Sequence, residues 1–461
     1  MHGTRQEASP RADNTRQKTA PRTDGAWQEA APRVSTARQE TVPRVGDARQ
    51  KTAPRAGAAR KKTAPRVNTA RQALAPRTWL ALLGIAVSAF VFNSSEFMPM
   101  ALLTDIGASF GTDEATTGAI VTVYAWAVML LSVPLMMLAT RVPFKPLFLV
   151  VLAVFAVGQL LCGLAPGYGM LLAARLVLAC AHAIFWAVSA PPAARLVDKE
   201  HRALAVTLVT MGTALAMVAG VPLGRVVGLA LGWRQAFLCM AGAAVAILAF
   251  LVVVFPPLSG AAVFQVRRLP QLVKNAPLRS IFVVTALYTM GAYTAYSYIE
   301  PFFLQAAGVG EDLVTALLAF FGVAGVAGSG LCSCLYSPRS VAFLCAPIAC
   351  ATGAMALLLP VSSVLPAGPF VICALWGAAS SVYDIVYQTK IIEVCAPDEQ
   401  TVATAAFSGI FNFGIGTGSF VGGLVCAHDT VAHVGFAGAA IACAALLYAV
   451  TVFAGRLRGR G

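Results

Sequence analysis

From Trp79 onward the chain alternates long apolar runs with short polar breaks, and each run is long enough to cross about 30 Å of hydrocarbon as a helix. The runs fall near 79–103, 115–138, 146–166, 169–194, 203–230, 233–255, 280–304, 312–335, 340–360, 365–391, 401–426 and 430–455. This pattern predicts an all-α membrane protein with twelve transmembrane helices. Only a short Ser-Pro-Arg-Ser turn separates the eighth run from the ninth. The longest polar interval, 256–279, divides the runs six and six. It suits a cytoplasmic tether between two pseudo-symmetric six-helix bundles, 79–255 and 280–461.

Residues 1–78 follow a different rule. They repeat with a period of eleven, and each unit carries a Pro-Arg pair, at Pro10, Pro21, Pro32, Pro43, Pro54, Pro65 and Pro76. Proline interrupts a helix in every unit, and the apolar content is mostly alanine, too little to offset the entropy of ordering. The expectation is a disordered basic tail. It has no apolar core of a secretory signal, and its one aromatic, Trp27, offers little stacking surface for nucleic acid, so no nucleic-acid partner is expected. Its arginines could meet anionic headgroups at a membrane surface.

Composition and charge sharpen this picture. A mean hydropathy of +0.74, with 58% hydrophobic and 12% charged residues, excludes an ordinary soluble protein. The tail holds 17 Lys/Arg against 6 Asp/Glu, leaving 17 against 14 for the rest, so the basic balance belongs to the tail. With a cytoplasmic N-terminus, thirteen Lys/Arg fall on inner segments: Arg141, Lys145, Arg195, Lys199, Arg202, Arg267, Arg268, Lys274, Arg279, Arg339, Arg456, Arg458 and Arg460. Arg234 alone falls outside. The positive-inside rule therefore places both termini in the cytoplasm of a bacterial cell, with the chain in its inner membrane. The eleven cysteines lie in or beside apolar segments without metal-ligand or CxxC spacing, and read as small packing residues. No HExxH, GxSxG or paired-carboxylate constellation points to an enzyme, and no metal or cofactor is expected.

An ionisable side chain within a span costs several kcal/mol unless it is paired or hydrated, so each is a functional candidate. Glu96 follows Asn93, Ser94 and Ser95 in the first span. A carboxyl in low-dielectric surroundings holds its proton more tightly, so Glu96 either carries protons or sits solvated at the outer mouth. His182, in the middle of the fourth span, is either a satisfied interior histidine or a switchable partner. Arg175 lies in the same span, where an arginine near the interface can also snorkel to water. Arg225, just after Pro222, is a structural pin or the counter-ion of a carboxylate. Glu300, in the seventh span beside Pro301, mirrors Glu96 and is either exposed at the interface or functional. Asp384 and Gln388 add polarity to the tenth span, whereas Lys390 and Glu393 approach the cytoplasm and read as solvated. Sugars need ring faces against C–H groups and polar groups for their hydroxyls. Tyr124, Trp126, Trp186, Tyr293, Tyr296, Gln388, Asn412 and Asn93 provide both kinds.

The fifth span reads GTALAMVAGVPLGRVVG, with Gly212, Gly220, Gly224 and Gly228 on one helical face and Pro222 between them. That face suits close backbone contact with a neighbouring helix and a bend at the proline. The run SGIFNFGIGTGSFVGG (408–423) echoes it in the eleventh span, and YSYIEPF echoes FNSSEFMP across the two halves.

Taken together, NSSEFMPMALLTDI (93–106), VYAWAVMLLSVPLM (123–136), CAHAIFWAVSA (180–190), the fifth-span run, YTAYSYIEPF (293–302) and FSGIFNFGIG (407–416) resemble bacterial sugar efflux transporters. These belong to the twelve-span drug:proton antiporter family of the major facilitator superfamily. The resemblance covers about 85–450 and omits the tail. It implies two bundles alternating access around a central site, and it implies that the first and fourth spans line it. It also marks the fifth-span glycines with Pro222 as an antiporter motif and associates Arg175 with proton coupling. The stretch MMLATRVPFK departs from the superfamily's loop pattern, since Thr140 occupies the acidic position while Arg141 and Lys145 remain. The expectation is a monomeric proton-coupled efflux transporter for sugars or similar small polar solutes. Proton coupling would rest on Glu96, His182, Arg175 and Arg225. Multidrug or nucleoside efflux, or passive facilitation, are the alternatives.

Overall fold

The computed structural model describes residues 75–139, 142–258, 274–335, 341–396 and 399–455. The repeat tail up to residue 74, Thr140, Arg141, the greater part of the central loop with Arg267 and Arg268, Arg339 and the C-terminal arginines lie outside them. Every regular element among the described residues is helical.

Among the described residues twelve rods follow one another. α1 is Pro76–Phe110, with a 3-10 turn at Met98–Leu102. α2 is Glu114–Ala139, α3 Phe144–Gly163 and α4 Tyr168–Arg195. α5 runs as Arg202–Leu215, a π-helical turn Ala216–Gly220 and Val221–Leu231. α6 is Trp233–Val254. α7 is Ala276–Tyr296, interrupted at Ser297 and Tyr298 and resumed by Ile299–Pro301. α8 is Glu311–Leu335. α9 joins Ala342–Ala356 to Leu358–Val364 across a 53° bend. α10 is Gly368–Val394, α11 Gln400–His428, and α12 Val434–Tyr448 with a π-helical turn Ala449–Phe453.

Ten of these rods, and α9 as an eleventh bent one, are long and apolar enough to cross a membrane. The twelfth expected span, α7, falls short of that apolarity although its 21 residues extend about 31 Å. Its three threonines and three tyrosines explain the shortfall. Most of α7 is buried against other helices, so it presents little surface to lipid. α1 begins at Pro76 rather than Trp79 because a proline in the first turn forfeits only an N–H that has no intrahelical acceptor. Arg77 then anchors that end by donating to the Val253 and Val254 carbonyls of α6 at 3.0 and 3.3 Å.

The surface is apolar, with Leu130, Leu231, Val253 and Leu331 exposed, whereas Gln159, Arg175, Arg225 and Glu300 are buried. That inversion suits a chain solvated by lipid. α1 packs on α5 and α6, α2 on α4, and α3 on α4 and α6; α7 packs on α11 and α12, α8 on α10, and α9 on α10 and α12. The first six rods meet the last six along two seams, α2 against α11 and α5 against α8.

The glycines make these approaches possible. A Cβ on Gly212 would strike the Ala86 carbonyl oxygen of α1, and one on Gly220, Gly224 or Gly228 would strike Ser94, Met98 or Leu102. All four thus face α1, and the expected bend at Pro222 takes the form of the π-helical turn just before it. That turn absorbs the hydrogen bond which Pro222 cannot donate. The α11 run divides its contacts: Gly414 and Gly418 meet Thr289 and Met290 of α7, while Gly416 meets Trp126 of α2.

Gly212→Ala is expected to destabilise the protein by about 1–3 kcal/mol through overpacking. Gly242→Ala, on α6 where a methyl group would enter open space, should be neutral or slightly stabilising through helix propensity. Thermal unfolding of the detergent-solubilised variants compares the two.

Candidate functional site

Pro99 has no N–H, so α1 cannot complete its hydrogen bond to the Ser95 carbonyl. Arg175 of α4 fills the gap: its Nη1 donates to Ser95 O and its Nε to Ile120 O of α2, both at 3.4 Å. The guanidinium lies 3.9 Å over the Tyr124 ring and is fully buried, so Arg175 does not snorkel to the interface. Gln159 of α3 donates to the Ser95 hydroxyl. The turn preceding Glu96 is therefore clamped from α3 and α4.

Glu96 itself is almost wholly buried, with Oε2 3.2 Å from His182 Nε2. On α4, one turn beyond His182, Trp186 directs its indole N–H at the same nitrogen at 2.7 Å. His182 Nδ1 has no partner. The Tyr124 ring of α2 meets the His182 ring edge-on, with 5.6 Å between centroids.

Arg225 is not part of this group. It reaches across from α5 to Glu300 of α7, Nη1 to Oε1 at 3.1 Å, with both side chains fully buried, and it donates to the Ala101 carbonyl. Thr104 of α1 closes the cluster, its N and Oγ1 donating to Glu300 Oε2 at 3.2 and 2.9 Å. The interfacial exposure open to Glu300 from sequence is thereby excluded, because two helices of the other half enclose it.

The aromatic candidates separate into several settings. Trp126 is half-buried on the α2–α11 seam and donates to Thr417 Oγ1 at 3.2 Å. Tyr296 is buried in a ring cluster with Phe321 and Trp376, whereas half-buried Tyr293 stacks near Phe97 and Phe411. Asn93 donates to Thr213 O of α5 at 3.1 Å, and Asn412 to Ser408 O, leaving the Asn412 Oδ1 unpartnered. Asp384 is half-buried with exposed Gln388 one turn on. Lys390 is largely buried and pairs with Glu393 at 2.6 Å, so it is not simply solvated.

Among the described residues, the polar contacts that cross between the halves run from Trp126 toward the Phe110 end. They are Trp126–Thr417, Ser419–Gly118, Gln305–Glu114 and the Glu300 cluster. Sequence reasoning missed Thr104, Gln159 and Tyr298, whose hydroxyl donates to Ser419 O. Their only signal was placement among the glycines and prolines that let helices approach.

A family model described as the Major Facilitator Superfamily matches residues 82–419. The chain belongs to that superfamily. It is a multi-pass membrane protein of a family of transporters. A bacterial homologue of the human lysosomal transporter Spinster, in an inward-facing and unoccupied conformation, matches with a TM-score of 0.63 and 15% identity over 83% of this chain and 96% of that one. The same homologue in an occupied state gives 0.60 over 83% and 95%. The human organic anion transporter MFSD10 gives 0.63 and 13% identity over 81% and 100%. These likenesses establish the major facilitator fold. The rods from α1 to α12 follow that fold in order, with Glu96, His182 and Arg175 gathered between α1, α2 and α4, and Arg225 with Glu300 between α5 and α7.

Removing one partner of a buried ion pair strands the other. Glu300→Gln or Arg225→Met should each cost about 3–5 kcal/mol, and the double variant should recover much of that loss. Melting temperatures of the four proteins, measured at one detergent concentration, provide the comparison.

Proposed function

We propose that this chain is a proton-coupled exporter that exchanges sugars or similar small polar solutes outward for protons inward. The observation that carries the reading is the Glu96–His182 contact, a carboxyl and an imidazole 3.2 Å apart and buried within membrane spans. A passive pathway gains nothing from such a pair, and burying it costs several kcal/mol unless charge is compensated.

Proton counting supports antiport. With the exchangeable proton on Glu96 and the imidazole neutral, the pair carries no charge. Without it the pair carries one negative charge, and buried Arg175 lies within the same cluster to offset that charge. Both the protonated empty carrier and the deprotonated solute-bound carrier can then be closed off from water. A membrane potential of about 100 mV contributes roughly 2.3 kcal/mol for each inward charge, enough to concentrate solute some fiftyfold outside.

Charge asymmetry supports an inner-membrane location with cytoplasmic termini. In that orientation the Phe110 end faces outward and is the closed end. Access to Glu96 then comes from the cytoplasmic side, past half-buried Trp186, Tyr293 and Asp384. Rings beside amides and a carboxylate suit solutes with C–H faces and hydroxyls.

Inverted vesicles acidified inside by respiration test the reading with arabinose, galactosides and a lipophilic drug panel. Wild type should alkalinise the lumen on sugar addition, and Glu96→Gln should abolish that response while the protein remains in the membrane. A response to drugs alone reassigns the solute class, and an undiminished response in Glu96→Gln removes Glu96 as the carrier.

A further inference from the structure

The Trp186 indole raises a hydrogen-bonding conflict at one nitrogen. An indole N–H can only donate, so its 2.7 Å contact requires a lone pair on His182 Nε2. An ionised Glu96 can only accept, so its 3.2 Å contact requires a proton on that same Nε2. The two bonds are mutually exclusive. A doubly protonated ring does not resolve the conflict, because both of its nitrogens donate and Nε2 then has no lone pair for the indole N–H.

Two arrangements remain. The shorter contact, 2.7 Å against 3.2 Å, gives the single Nε2 lone pair to the indole, so a protonated Glu96 carries its hydrogen on Oε1 and the neutral imidazole carries its own on Nδ1. When Glu96 is ionised, the imidazole carries its hydrogen on Nε2 and donates it to the carboxylate, and the indole N–H loses its acceptor. Trp186 is half-buried and makes edge contacts to Phe185 and to His182 itself, so this hydrogen bond is what fixes the indole edge.

We propose that Trp186 is the positioning residue of proton coupling: its indole is pinned to His182 only while Glu96 is protonated and is released when the proton leaves. This rests on the proton-carrier reading of Glu96 and deepens it, by naming how a proton on α1 is felt as a side-chain position on α4. The other charged and titratable groups facing the pair are Arg175 on α4, Tyr124 on α2, Cys162 on α3 beside Arg175, and Tyr293 on α7. None of them donates to Nε2 among the described residues, which leaves the indole as the group whose partner depends on the proton.

The test needs only protons as ligand. In the purified full-length chain, the protonated-carboxyl infrared band lost in Glu96→Gln is titrated in wild type and in Trp186→Phe, which keeps a ring and removes the N–H. Loss of one hydrogen bond from the protonated state should weaken proton binding roughly 2- to 10-fold, moving the titration toward acid by the corresponding amount. The Trp186 indole nitrogen resonance should shift along the same titration in wild type and stay fixed in Glu96→Gln. An unmoved carboxyl titration in Trp186→Phe, or an indole resonance indifferent to Glu96, overturns the role of Trp186 while leaving Glu96 as carrier. Absence of any titrating band assignable to Glu96 overturns the carrier reading itself. If Trp186→Phe does not fold, the comparison of indole resonances between wild type and Glu96→Gln decides.

Discussion

Pro99 leaves the Ser95 carbonyl of α1 without its helical donor, in an interior where no water can replace it. Arg175 supplies the missing hydrogen bond, and Arg225 donates to the Ala101 carbonyl further along, in the 3-10 segment that contains the proline. A broken helix in lipid thus needs buried donors, and buried cationic donors in turn need carboxylates and π faces near them. Glu300 and the Tyr124 ring meet that second need. The polar centre of the protein grows from one interruption of α1. The glycine face of α5 fits the same region, since Ser94, Met98 and Leu102 are the residues it packs against. The helix that gives way at Pro99 is held by close backbone contact on both sides of the break.

The two span-borne glutamates look equivalent in sequence, each a few residues from a proline, yet their surroundings separate them. Glu96 lies on the helical turn before the break of α1 and faces a titratable imidazole. Glu300 lies after the break of α7 and faces a permanent cation together with two donors from Thr104. A guanidinium keeps its charge at any ordinary pH, whereas an imidazole can gain or lose a proton. The duplication visible in the pattern therefore conceals two different settings, set by which side of the helix break each acid occupies.

Much of the fold was legible because lipid imposes a simple rule on composition. The succession of apolar helices follows from hydropathy alone. α7 was readable by length although it is too polar to qualify alone, since its threonines and tyrosines face protein. The glycine face of α5 was also legible, whereas its partner was not. What stayed hidden were contacts between residues far apart in the chain. Snorkelling stayed open for Arg175 because nothing nearby in sequence reveals the Ser95 carbonyl, and exposure stayed open for Glu300 because Arg225 and Thr104 belong to the other half. Burial of a charge is decided by the helix across from it, which a periodic pattern does not specify.

These constraints also bear on how such a protein can move. Arg225 keeps the Ala101 carbonyl and the nearby charge of Asp105 within its own half, so it does not depend on Glu300 alone. Among the described residues, Glu300 draws its side-chain hydrogen bonds and its ion pair from the other half. Parting the halves at the Phe110 end therefore transfers the cost of separation to Glu300, which then needs water entering the opening vestibule. Glu96, Arg175 and His182 stay together throughout, because α1, α2 and α4 belong to one half and α5 is locked to α1 by its glycines. A rigid first half with the Glu96–His182 contact intact, parting from a second half that releases one acid to solvent, satisfies both requirements. A local unwinding of α1 would instead strip Arg175 and Arg225 of their α1 carbonyls at once, leaving buried donors unsatisfied, and is the costlier route.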